Sequence, residues 1–341
     1  MKKIWIDYVR VLATFAVIAA HASGGYYNEF GRIELSEWWF ANIVDSFSRF
    51  CVPIFIMISG CVLLGRNTDI RGFYWKRGKR LIPALIFWSL FYIAFDHLYD
   101  GGTNITLEWR FKSVILSGYA HLHLWYLSMF ICLMLFVPFI NDYIIGRKPT
   151  MEYFVWMLAL FLTFMTLNLL SSISYNIFHE SMGWFKIFPW FICYLIMGYF
   201  VDVYRDKIPI KNGLTLAILV ITMPITAILN FYSAKNFGIV QDYFILDNTG
   251  VANFIITMAI FHCFSVNRNI FKENRLISSV ASYSFGIYLI HPAILGLVNR
   301  KLNFYLHDIE MRIILSAAIT FAVSYLMVSI VARVRWLNAV I

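Results

Sequence analysis

Charge is scarce in this chain: of 341 residues only 14% are Asp, Glu, Lys or Arg, against roughly a quarter in soluble globular domains. A water-soluble fold is excluded on that ground. Cysteine is sparse too. The five present, Cys51, Cys61, Cys132, Cys193 and Cys263, all fall in apolar runs, without CxxC spacing and with none in a predicted outer loop, so neither disulfides nor a zinc site is expected. HExxH spacing is missing, and no metal site is expected. Basic patches interleaved with aromatics are absent, which excludes nucleic acid as a partner. Lys2 and Lys3 precede an apolar stretch that could pass for a signal peptide. No small-x-small cleavage site follows it, so it is read as a retained first helix. No repeat relates the two halves.

What is present is apolar: 60% hydrophobic and 18% aromatic residues, with a mean hydropathy of +0.70. The expected class is an all-α polytopic integral membrane protein forming a single transmembrane domain over residues 1–341, with no extra soluble domain. A span of about 20 residues places ten transmembrane helices at 4–23, 38–64, 73–97, 122–142, 151–170, 187–204, 214–232, 250–265, 281–298 and 309–332. Residues 107–119, with Trp109, Arg110 and Lys112, are too short and charged to span and read as an interfacial helix. Eighteen Lys and Arg fall on one set of alternating loops and eight on the other, so both termini are expected in the cytoplasm.

Ionisable groups inside spans are costly and mark functional sites by default. Arg10 and His21 lie in the first span, separated by ten apolar or small residues. Eleven residues make about three helical turns, so Arg10, Thr14 and His21 share a face, with Asp7 close by and His21 roughly 16 Å along the axis from Arg10. The densest basic cluster, Lys76, Arg77, Lys79 and Arg80, opens the third span. It reads either as a positive-inside anchor or, because Lys76/Arg80 and Arg77/Arg80 are one turn apart, as donors for a phosphorylated cytosolic ligand. In the second span Asp45 and Arg49 are four apart and can pair, with Ser48, Ser59 and Gly60 beyond. They form either a packing device or a second polar seam. His121 and His123, followed by Trp125, stand at the outer end of the fourth span as interface residues or ligands. His291 lies inside the ninth span before Pro292, which is expected to kink or break that helix. Of the eight histidines only His21 and His291 read as deep in spans.

Arg10-x10-His21, the Ser48-Arg49-Phe50 to Ser59-Gly60 stretch, Arg77-Gly-Lys-Arg80 followed by Pro83, His123-Leu-Trp-Tyr and Ser284-Phe-Gly-Ile-Tyr-Leu-Ile-His291 together resemble the membrane-bound acyltransferase 3 family. The match runs in order over nearly the whole chain. Members are similar to bacterial inner-membrane O-acetyltransferases that decorate surface glycans, including lipopolysaccharide, capsule and enterobacterial common antigen. Some carry an additional extracytoplasmic hydrolase-like domain, which is not expected here. The resemblance implies acetyl-CoA as donor on the cytosolic side, Arg77 and Arg80 near CoA, and His21 as the essential catalytic residue. The partners it implies are a glycan or lipid-linked glycan acceptor and membrane lipid, with a homo-oligomer or glycan-assembly complex left open.

The residues agree with that chemistry. Acyl transfer from a thioester to a hydroxyl needs a base and donors for a developing oxyanion. The expected catalytic group is therefore His21, Arg10 and Asp7, and the donor-binding group Arg77, Arg80, Lys76 and Lys79. Further polar positions are Asp45, Arg49, Ser59, His123, Trp125 and His291. Counted from Ile4, His21 lies roughly 25 Å into a core of about 30 Å, so a donor arm would thread outward to it and the acceptor would arrive from outside or from lipid. The rival reading is a transporter or flippase for a lipid-linked glycan; a non-catalytic partner in polysaccharide export is a third.

Overall fold

A bilayer leaves a backbone no water to bond with, so spanning segments become helices with every polar group satisfied internally. The computed structural model describes residues 3–66, 69–99, 120–147, 190–208, 210, 212–238, 250–334 and 340–341, with isolated residues between 151 and 166. Its helices are α1 (Ile4–Tyr27), α2 (Leu35–Ser48), α3 (Cys51–Leu63), α4 (Ile70–Tyr99) and α5 (Trp125–Arg147). They continue with α6 (Trp190–Tyr204), α7 (Asn212–Phe237), α8 (Val251–Val266), α9 (Arg275–Tyr305) and α10 (Ile309–Val331). A 3-10 turn, Leu122–Leu124, leads into α5.

Among the described residues, seven helical stretches are long and apolar enough to cross a bilayer, α2 and α3 counting as one over Leu35–Leu63, and Phe191–Tyr204 and Val251–Val266 are shorter apolar helices. The chain is a multi-pass helical membrane protein. The expected span at 151–170, apart from isolated residues, and the interfacial helix at 107–119 lie outside the described residues.

Two expectations need correction, both at prolines. The second span, expected as one helix over 38–64, divides at Arg49–Phe50. Pro53 has no N–H for the Arg49 carbonyl four residues back, and its ring crowds that oxygen. Asn253 of α8 supplies the missing donor, its Nδ2 lying 3.1 Å from the Arg49 oxygen. The ninth span was expected to kink or break at Pro292, yet α9 runs as one helix from Arg275 to Tyr305. There the freed Tyr288 carbonyl is taken by the His291 ring, with Nδ1 at 2.7 Å.

Small side chains let the central helices approach. Ala13, Ala16 and Ala22 keep α1 slim, and it packs against α2, α3, α8, α9 and α10. It runs parallel to α9: Ser278 Oγ donates to Asp7 Oδ2 at 3.1 Å, the His21 and His291 rings meet in the middle, and Tyr26 faces Asn303. It runs antiparallel to α2, where Trp38 Nε1 donates to the Tyr27 carbonyl at 2.8 Å. Lys3, Asp202, Arg205, Asp206 and Arg268 gather in ion pairs at one end of the bundle, and Arg32, Glu29, Asn303 and Arg312 lie at the other. The sided grouping of basic residues seen in the sequence is thus spatial.

α3 and α6 cross at glycines. A methyl on Gly60 would lie 1.7 Å from the Leu195 carbonyl oxygen, and one on Gly198 2.0 Å from that of Met57. Gly60→Ala should therefore cost on the order of 3 kcal/mol or more by overpacking. Gly213→Ala, where nothing lies within 4 Å, should be neutral or stabilising by about 0.5–1 kcal/mol. Thermal unfolding in detergent separates the two, and equal midpoints would mean that α3 and α6 do not depend on this crossing.

Candidate active site

Midway along the α1–α9 pair four histidines converge from three parts of the chain. His21 of α1 and His291 of α9 have ring centroids 5.2 Å apart. His291 and His123 are 5.7 Å apart, and His123 meets His121 with Nδ1 to Nδ1 at 2.9 Å. Tyrosines wall the group: Tyr92 lies 4.5 Å from His121 and 4.8 Å from His123, and Tyr288 donates its hydroxyl to the His123 carbonyl at 2.6 Å. Tyr92 also donates to the Leu289 carbonyl at 2.8 Å, tying α4 to α9. His123 and His291 are buried, 2% and 0% exposed. His21, by contrast, is exposed.

A charged pair stands beside this cluster. Arg49 Nε bonds Asp45 Oδ2 at 2.7 Å, as the four-residue spacing suggests. The antiparallel packing of α1 and α2 sets Gly24 opposite Asp45 and brings Arg49 within electrostatic reach of His21. Arg49 caps the end of α2, so the helix break at Pro53 also aims this side chain.

The basic cluster lies nearer the starts of α4 and α9 than the histidines do. Lys76, Lys79 and Arg80 line a cavity of about 440 Å³ with Ser282, Tyr283 and Gly286 of α9, and no acidic side chain lines it. A methyl on Gly286 would lie 2.7 Å from Val328, so the bare glycine keeps α9 and α10 close there. Arg77 does not line this cavity. Its guanidinium stacks over Phe73 at 5.5 Å, with a buried Nε that has no hydrogen-bond partner. Arg10 lies within electrostatic reach of Arg80 and is 3.9 Å from Asp7.

The expected residues thus sort into two groups. His21, His291, His123, Asp45 and Arg49 come together, whereas Arg10 and Asp7 join Lys76, Lys79 and Arg80. The polar track expected from Arg10 to His21 is interrupted, because Thr14 turns its hydroxyl back to the Arg10 carbonyl at 2.7 Å and Val17 and Ile18 are buried between. Ser59 likewise bonds its own helix at the Phe55 carbonyl, 2.9 Å away. Trp125 packs on Tyr126 and Phe191 rather than on the histidines. The expectation that only His21 and His291 lie deep is corrected: His123 and His262 are 2% and 5% exposed, because the Leu122–Leu124 turn tucks under α9 and α8 packs on α7.

Tyr92 and Asn253 were not singled out from the sequence. Nothing in their own segments marks them, since each acts on a helix far away in the chain.

A family sequence model described as an acyltransferase domain matches residues 3–332. Comparison with curated proteins and with solved structures gives no match.

Asn253→Ala should leave the Arg49 carbonyl without its donor, at about 1–3 kcal/mol, and lower the unfolding midpoint in detergent. Ser59→Ala, which removes a bond internal to α3, should stay within about 0.5 kcal/mol of the parent. An unchanged midpoint for Asn253→Ala would mean that the break at Arg49–Phe50 does not rely on α8.

Proposed function

The chain belongs to the acyltransferase 3 family, and from that premise we propose that it is an O-acetyltransferase of the bacterial inner membrane. In this reading it moves the acetyl group of cytosolic acetyl-CoA to a hydroxyl of a surface or lipid-linked glycan, with His21 as general base. One observation carries the reading. A basic cavity and the exposed His21 lie along the same helices: the cavity's α9 lining, Ser282 to Gly286, ends five residues before His291, the ring that meets His21, or about 8 Å at 1.5 Å per residue.

The basic layer fits the phosphates of CoA. Lys76, Lys79 and Arg80 face the cavity, and Arg10 is within electrostatic reach of Arg80. Guanidinium groups grip phosphate with paired donors. The pantetheine arm would then run along α1 and α9 toward the histidines and bring the thioester to His21. His21 takes the acceptor hydroxyl proton as the oxygen attacks, the acyl–sulfur bond breaks, and the proton passes to the leaving thiolate. Arg49, held by Asp45 and close to His21, is the cation we assign to the developing oxyanion. Arg10 acts in this scheme on the donor rather than on the base.

The acceptor has a route of its own. A cavity of about 860 Å³ lies between α9 and α10, lined by Ile294, Leu297 and Val323 with Arg300 and Lys301 beyond. It begins one turn past His291, and its apolar wall with cations at one end suits a lipid-borne anionic acceptor. The transporter reading drew on intramembrane charges and on a broken ninth helix; the continuous α9 removes the second of these supports.

Two measurements test the scheme. Arg80→Ala should weaken CoA binding by calorimetry about tenfold or more, an effect that shrinks with rising salt. Arg77→Ala should weaken it less, because Arg77 does not line the cavity. Equal affinities in both variants and the parent would reduce the cluster to a topological anchor. His21→Ala should keep CoA affinity and unfolding midpoint while acetylation of surface glycans, read by mass spectrometry, falls on the order of 10² to 10⁴. Wild-type acetylation in that variant would falsify the assignment of the base.

A further inference from the structure

A histidine that serves as base needs its ring held in one orientation by a partner on its second nitrogen, the part a carboxylate plays in a Ser-His-Asp arrangement. The nearby carboxylate, Asp45, is engaged by Arg49 at 2.7 Å, and Asp7 lies about 20 Å away along α1. We propose that His291 is the positioning residue for His21: its Nε2 accepts the ring N–H of His21 and orients the opposite nitrogen toward the acceptor hydroxyl. The proposal rests on the reading of His21 as base.

Backbone chemistry sets up this role. Pro292 brings no N–H, so the Tyr288 carbonyl lacks its helical donor, and His291 Nδ1 stands 2.7 Å from that oxygen. A ring nitrogen bonded to a carbonyl must carry the hydrogen, so in the neutral ring the lone pair is assigned to Nε2. That Nε2 is buried and has no hydrogen-bond partner, in a side chain that is 0% exposed. A buried acceptor left empty costs free energy, and a donor that moves into reach recovers it.

Distance identifies the donor. His121 and His123 show what bonded imidazoles look like in this protein, with Nδ1 to Nδ1 at 2.9 Å and centroids 5.0 Å apart. His21 and His291 have centroids 5.2 Å apart with planes tilted by 42°, so a small turn of the accessible His21 ring closes an N–H···N bond. His123 is farther, 5.7 Å from His291 at 76°.

The reaction balances without a further group. The acceptor O–H gives its proton to the bare nitrogen of His21, and the cationic ring is steadied through its other N–H by His291 Nε2. The acyl carbon–oxygen bond forms, the carbon–sulfur bond breaks, and the thiolate leaves with the proton from His21. His291 ends as it began.

Two substitutions separate orientation from packing. His291→Asn keeps an N–H near the Tyr288 carbonyl but has nothing at the Nε2 position; His291→Gln can place an oxygen acceptor there. In native membrane vesicles supplied with labelled acetyl-CoA, His291→Asn should lower kcat about tenfold or more with KM for acetyl-CoA within about twofold, and His291→Gln should recover part of the loss. Wild-type kcat in His291→Asn, or losses that follow a lowered unfolding midpoint and a raised KM together, overturn the proposal. Ring-labelled histidine gives a second measurement by nitrogen NMR in detergent. A coupling across an N–H···N bond between His21 and His291, lost in His291→Asn and kept in His123→Gln, supports the pair, whereas a coupling from His291 to His123 overturns it. The two failures are distinct: coupling without acetyl transfer by the wild-type protein removes the reaction and leaves the pair, and transfer without coupling removes the pair.

Discussion

A carbonyl oxygen freed inside a membrane has to find a donor from the protein, and in this bundle two such oxygens, made by Pro53 and Pro292, organise the site. The Arg49 oxygen draws Asn253 from α8, and the Tyr288 oxygen draws the ring of His291 from within α9. In water either carbonyl would bond solvent and dictate nothing. In hydrocarbon each costs several kcal/mol until satisfied. The first oxygen is answered from a neighbouring helix and the second by a residue of its own helix.

Around those points the helices are held by close approach rather than by large apolar side chains, which lipid would solvate equally well. Gly60 and Gly198 bring α3 and α6 backbone to backbone, and a row of alanines does the same for α1. Asn42, Ser46 and Asn230 add a buried polar tie between α2 and α7. Asn141 clasps the end of α3, accepting from the Gly65 amide at 2.8 Å and donating to the Leu63 carbonyl at 3.0 Å. Gly65 takes a positive φ of 73° there, which a side chain would resist. The register of α1 on α9 is marked instead by Asp7 with Ser278, His21 with His291 and Tyr26 with Asn303.

The separation of the two layers matters chemically. Phosphate binding calls for several cations near water, whereas a histidine base works best neutral and away from them. Placing both on one helix pair at different depths lets each environment be arranged independently. Arg49 stands near the histidines, and Asp45 pairs with it.

Several features were legible without any structure. The apolar content and span lengths made the chain a helical membrane protein, and the Asp45–Arg49 spacing foretold their pairing because a helix turn brings such residues together wherever the helix lies. The Lys76 to Arg80 cluster was visible for the same reason. Local periodicity says nothing, however, about which side of a helix meets which neighbour. So Arg10 looked aligned with His21 on a helical wheel but pairs with Asp7 one turn back, and Arg77 looked equivalent to Arg80 but does not line the cavity. Tyr92, Asn253 and the meeting of His21, His123 and His291 depend on contacts between segments 100 to 270 residues apart. The sequence by itself determined the helices and the stock of ionisable groups within them, because burying a backbone in lipid leaves few alternatives. Only the tertiary structure decided which of those groups share a site, because a side chain's chemistry is set by the helices that pack around it.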